Sequence, residues 1–206
     1  MKKKCIIICL FVIMLTGCTV VRIDTTSIDN ILDVVLSKDN TLYNRVGNGY
    51  KYYVPRGVTY IDSNGTNDRL YSDGVYYYLY LDEVSYYYNN SIKFKENKYK
   101  YYSRKLKNGD NVGYVEITDK GNNQYLIEFV YNYAKIEALV PKEDIEETVL
   151  NASYILSTIK YNDNIIKLSL DDDFLKTKED KYDEFSSKKE ESNNFLRYDD
   201  NEEDKD

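Results

Sequence analysis

The chain has 206 residues, among them 24 tyrosines, three cysteines, two prolines and neither histidine nor tryptophan, and it carries a formal net charge of −7. The lack of histidine removes Ser-His-Asp and Cys-His catalysis, zinc sites of the HExxH type and any imidazole general base. No P-loop and no GxGxxG fingerprint occurs, and no cofactor is expected.

Lys2, Lys3 and Lys4 open the chain, an apolar stretch follows from Cys5, and Leu15-Thr16-Gly17-Cys18 closes it. A basic start, a short apolar core and small residues before a cleavage point make a secretory signal. Residues 5–17 supply thirteen positions, fewer than the roughly 20 apolar residues that span a bilayer. Leu15, Thr16, Gly17 and Cys18 resemble the lipobox of bacterial lipoproteins. That resemblance implies removal of residues 1–17 and a thioether link from Cys18 to diacylglycerol, anchoring the protein to the cell membrane on its extracytoplasmic face. Each buried methylene contributes about 0.8 kcal/mol and one acyl chain holds only marginally, so two or more chains turn contact into residence. Cys5 and Cys9 leave with the signal, no thiol remains for a disulfide, and stability must come from a core.

Residues 18–26 are expected to be a lipidated tether and 27–170 one domain, long enough to bury a core without covalent staples. Ile28, Ile31, Leu32, Val35 and Leu36 follow helical spacing behind Ser27 or Asp29 and predict an amphipathic helix. The turn signals Asn48-Gly49, Asn64-Gly65, Asp73-Gly74, Asn108-Gly109 and Lys120-Gly121-Asn122 then separate β-branched and aromatic runs, the pattern of antiparallel strands joined by hairpins. Within residues 75–88, Val75, Tyr77, Leu79 and Leu81 share one face and Tyr76, Tyr78, Tyr80 and Val84 the other. Residues 125–140 read as a strand covered on both sides. Pro141 ends it and opens a helix whose first turn is acidic and whose buried stripe is Ile145, Val149, Ala152, Leu156 and Ile159. Residues 165–170 are expected to return as a short strand. The tail, 171–206, holds 15 acidic and 7 basic residues. It is too polar to bury the surface that would offset its ordering entropy, which predicts disorder.

The expected fold class is therefore α+β, a single domain with a twisted antiparallel sheet packed by an N-terminal and a C-terminal helix, plus a disordered acidic tail. This element order, with the closing stretch Asn151-Ala152-Ser153-Tyr154-Ile155-Leu156-Ser157-Thr158-Ile159-Lys160-Tyr161, resembles PsbP-like domains over residues 50–170. The resemblance implies a central antiparallel sheet with flanking helices, and no residue role passes over from it.

The sharpest candidate for ligand binding is the basic, aromatic segment from Lys93 to Lys107: Lys93, Lys95, Lys98, Tyr99, Lys100, Tyr101, Tyr102, Arg104 and Lys105. In another compartment this pattern would suggest nucleic acid. Outside the cell the expected partners are an anionic wall polymer or a membrane surface, not nucleic acid, and the acidic tail could screen the patch. Charge runs usually mark solvated surface, so a hairpin with solvent-facing lysines is the plain alternative. The tyrosines offer a second surface, a sheet face on which a membrane protein complex could dock, although an AT-rich genome and strand propensity account for many tyrosines. Ser157 and Lys160 match S-x-x-K without its partner motifs. Asp62-Ser63-Asn64-Gly65-Thr66-Asn67-Asp68 is oxygen-rich, but its glycine is misplaced for an EF-hand and a hairpin turn explains it better. A carboxylate-based hydrolase ranks last, since no particular acidic pair is marked.

Overall fold

The computed structural model describes residues 24–170. The signal, Cys18 and the acidic tail lie outside the described residues.

Residues 24–26, the end of the expected tether, turn back on the first helix. The Asp24 amide donates to Asn30 Oδ1 at 3.0 Å, and its carboxylate accepts the Thr26 amide and hydroxyl at 3.0 and 2.6 Å. Helix α1 (Ile28–Leu36) starts where Ser27 accepts the Asn30 amide at 3.3 Å, satisfying a first-turn donor. Its five apolar positions, Ile28, Ile31, Leu32, Val35 and Leu36, are all buried.

Strands β1 (Arg45–Val46) and β2 (Tyr50–Tyr52) join a later strand, β10 (Lys160–Tyr161), in a small sheet of order β1-β2-β10. The main sheet comprises β3 (Thr59–Asn64), β4 (Asn67–Ser72), β5 (Val75–Leu81), β6 (Tyr102–Asn108), β7 (Asn111–Asp119), β8 (Gln124–Tyr131) and β9 (Ala134–Pro141). Its order is β3-β4-β5-β9-β8-β7-β6, antiparallel throughout. The turn signals at residues 64–65, 73–74, 108–109 and 120–122 all fall at its hairpins.

A 3₁₀ turn at Lys142–Asp144 leads into α3 (Ile145–Ser157), which packs on β8, β9 and α1. Its predicted stripe, Ile145, Val149, Ala152, Leu156 and, just past its end, Ile159, is fully buried. Leu79, Ile117, Ile127, Phe129, Ile136 and Val140 of the sheet belong to one buried cluster with that stripe. Each such side chain contributes roughly 1.5–3 kcal/mol on burial. The fold is thus α+β, a seven-stranded antiparallel sheet with α1 and α3 packed on one face, accompanied by the small three-stranded sheet.

Three expectations are corrected. Residues 125–140 are two strands: Asn132 and Tyr133 have φ of 50° and 59°, the paired left-handed geometry of a two-residue hairpin turn. The strand from Val75 stops at Leu81, because Asp82 accepts the Ser85 amide at 2.8 Å and caps the short helix α2 (Glu83–Tyr87). Val84 and the tyrosines at 86–88 therefore leave the sheet. Residues 165–170 are not a strand: α4 (Asp163–Ser169) is capped by Asn162, which accepts the Ile165 amide at 3.3 Å, and it buries Ile166 while exposing Leu168. The returning strand is β10, placed just before it.

Candidate binding surface

Between α2 and β6, residues 88–101 cross the sheet face opposite the helices. Phe94 stacks on Tyr114 of β7 with ring centroids 4.0 Å apart and planes 3° from parallel. Lys100 Nζ reaches Thr118 Oγ1 at 3.0 Å and Glu116 Oε1 at 3.1 Å. Under this crossing segment the outer-face residues Leu126 and Val130 are buried. Glu96 accepts the Lys105 amide at 2.8 Å and the Asn97 amide donates to Ser103 Oγ at 2.9 Å. The first of these contacts occupies a backbone donor on the free edge of β6, which would otherwise be offered unpaired to another chain.

Strand alternation divides the basic segment. Tyr102, Arg104 and Leu106 oppose Ile117, Val115 and Gly113 and share the helix side, whereas Ser103, Lys105 and Lys107 take the outer side. The Arg104 guanidinium bridges Asp29 and Asp33 of α1 at 2.9 and 2.6 Å, and the Tyr102 hydroxyl donates to Asp29 at 2.6 Å. Burial, then the hydrogen bond to Asp29, pushes the Tyr102 phenol up. Arg104, Tyr102 and Lys100 are thus half-buried with internal partners, while Lys93, Lys95, Lys98, Tyr99, Tyr101 and Lys105 are exposed. Lys98 Nζ lies 5.5 Å from the centre of the Tyr99 ring, and Tyr101 packs edge-on against Tyr125 at 4.9 Å.

The same outer face holds a row that the sequence alone does not show. The strand register aligns Asp62, Arg69, Tyr78, Glu137, Glu128, Glu116 and Ser103 across all seven strands. Three glutamates therefore stand side by side on β9, β8 and β7. Like charges directly opposite one another destabilise a sheet, and each of these has an offsetting partner. Glu137 pairs with Lys135 at 2.9 Å, Glu128 accepts the Tyr114 hydroxyl, and Glu116 pairs with Lys100. The available signal was a glutamate within each of three largely apolar strands, but only the turns fix which residues become neighbours.

Towards β3 the outer face is tyrosine-rich and open. Tyr71 and Tyr76 are a cross-strand pair 5.0 Å apart, and Tyr78 lies 6.4 Å from Tyr76. Arg69 sits among them, binding Asp62 through Nε at 3.1 Å. The oxygen-rich stretch at 62–68 is the β3–β4 hairpin. Asp62 is exposed on the outer side, whereas Asp68 is buried and accepts the Tyr50 and Tyr52 hydroxyls at 3.3 and 2.5 Å. The two carboxylates so placed lie on opposite sides of the strand pair, and among the described residues no group of three or more Asp, Glu or Cys could hold a metal. Ser157 and Lys160 are likewise apart: Ser157 Oγ donates to the Tyr154 carbonyl, and Lys160 lies on β10 beside Asp39 at 3.8 Å.

No protein-family model and no curated protein matches this chain. Its chemistry is therefore read from the surface itself. Among the described residues no helix is long and apolar enough to cross a membrane.

Proposed function

We propose that the chain is a lipid-anchored extracytoplasmic binding module that meets an anionic wall polymer or an anionic membrane surface through the lysines of residues 93–107. One observation carries this function. Lys93, Lys95, Lys98, Lys105 and Lys107 are all exposed, while Glu96, the one acid among residues 93–107, is turned to the Lys105 amide. Lipid on Cys18, implied by the lipobox resemblance, holds the domain where such polyanions are concentrated. A second function, docking on a membrane protein complex through the tyrosine-bearing sheet face, draws on the exposure of Tyr76. A carboxylate-based hydrolase ranks last, because each glutamate of the row is tied to a neighbouring side chain.

The test is co-sedimentation with isolated cell walls and with phosphatidylglycerol vesicles across a salt series, using residues 19–206 and a chain ending at Leu170. Polyanion contact weakens as salt screens it, with a Debye length of about 10 Å at 0.1 M. Binding is expected to fall with salt and to strengthen without the acidic tail. Absence of binding by both chains would sink the polyanion function, and salt-independent binding would favour the tyrosine face.

A further inference from the structure

On the half of the outer sheet face that residues 88–101 leave open, we propose a binding site for a neutral saccharide chain. Tyr76 is 41% exposed and stands between Tyr71 and Tyr78, whose ring centres lie 5.0 and 6.4 Å away. The guanidinium carbon of Arg69 is 5.9 Å from the centre of the Tyr76 ring. Three rings and one planar cation therefore line a continuous patch on two adjacent strands.

Charge selects the class of ligand. Arg69 is matched by Asp62, and Glu137, next to Tyr78 across the strand pair, is matched by Lys135. The patch has no net charge with which to gather a phosphate polymer or a basic peptide, unlike the lysines on the other half of the sheet. What it offers is ring faces, phenol hydroxyls and a guanidinium–carboxylate pair that both donates and accepts. A sugar ring has the complementary pair of features, an apolar C–H face to lie on tyrosine and a rim of hydroxyls to meet the polar groups. The rings stand on a sheet surface, which suits an extended chain lying flat.

This site is independent of the polyanion contact, and one experiment tells them apart. Residues 19–206 are titrated calorimetrically with cellotetraose, chitotetraose and maltotetraose at low and high salt. At least one tetrasaccharide is expected to bind with a Kd on the order of 0.1–1 mM, equally at both salt concentrations. Tyr76→Ala and Tyr78→Ala are expected to weaken it about tenfold or more, Tyr76→Phe to keep it, and Tyr99→Ala, in the crossing segment, to leave it unchanged. Thermal melts confirm that each variant is folded. No binding of any tetrasaccharide at about 10 mM, or binding undiminished in folded Tyr76→Ala and Tyr78→Ala, overturns the site. A concentration-dependent dimer, or capture of a protein partner, that is lost with Tyr76→Ala would assign the face to that occupant and overturn it equally.

Discussion

At the scale of single residues, the most exacting places are two buried carboxylates. Glu83 is 9% exposed, and its Oε1 has no hydrogen-bond partner among the described residues. Gly49, with φ of +88°, approaches it closely: a Cβ there would lie 3.0 Å from Ile166 Cγ1 and 3.3 Å from Glu83 Oε1. Desolvation raises the Glu83 pKa. A carboxyl whose folded pKa is raised contributes stability that is fully present below its unfolded value, about 4.3. That contribution is lost as pH rises through the folded value. Urea unfolding from about pH 4 to 8 is therefore expected to show Glu83→Gln gaining on the parent as pH rises. Parallel profiles would contradict the burial of an ionising group. Asp68 is the opposite case, buried and bonded to Tyr50 and Tyr52. Asp68→Ala strands two buried hydroxyls and is expected to cost roughly 3 kcal/mol by urea denaturation, with Asp68→Asn, which keeps an acceptor oxygen, losing less. Burial, then the Asp68 charge, pushes both phenols far up. Their contribution is present below the ordinary tyrosine value of about 10 and is lost as pH rises above it.

At the scale of elements, what was legible follows from how local each signal is. Helix α1 was readable from five spaced apolar residues and a capping serine, and the hairpin at Asp73-Gly74 from a dipeptide that accepts positive φ. The turn at Asn132-Tyr133 was hidden because tyrosine, a good strand residue, occupies a left-handed position that glycine would have announced. Its hydroxyl bonds Asn89 at 2.7 Å, a contact from the other side of α2 that no local pattern reveals. Residues 165–170 were ambiguous for another reason: in six residues, helical and strand spacing both place Ile166 and Leu170 inside. The segment 88–101 shows the same limit, since its position depends on tertiary contacts to Tyr114, Glu116 and Thr118. Phe94→Ala removes its aromatic stack, worth about 0.5–1.5 kcal/mol. Backbone amides of residues 93–100 are expected to exchange faster with deuterium in that variant, while amides of β8 keep their protection. Loss of protection in β8 as well would mean that the segment is part of the core rather than a cover.

At the scale of the whole molecule, the basic segment was visible in the sequence but its division was not, because a run of charge carries no information about which side of a sheet each residue takes. Strand β6 assigns Arg104 to the helix side and Lys105 and Lys107 to the outer side, so neighbouring cations serve different ends. Arg104 spans two acids one turn apart on α1, a geometry that a lysine cannot reproduce with a single nitrogen. Because Asp29 and Asp33 remain largely exposed, solvent screens the pair and its contribution is about 1 kcal/mol at most. Lys105→Glu with Lys107→Glu changes the outer surface by four charges and touches none of those contacts. The two substitutions are therefore expected to separate. Arg104→Ala should lower the thermal midpoint by a few degrees, about 2–4 °C for a domain of this size, and leave the salt dependence of cell-wall binding intact. The double lysine reversal should leave the midpoint nearly unchanged and flatten that salt dependence, since fewer ion contacts are left to screen. Equal loss of wall binding in both variants would mean that the face assigned by strand alternation does not govern the contact, and that any cation in the segment serves alike.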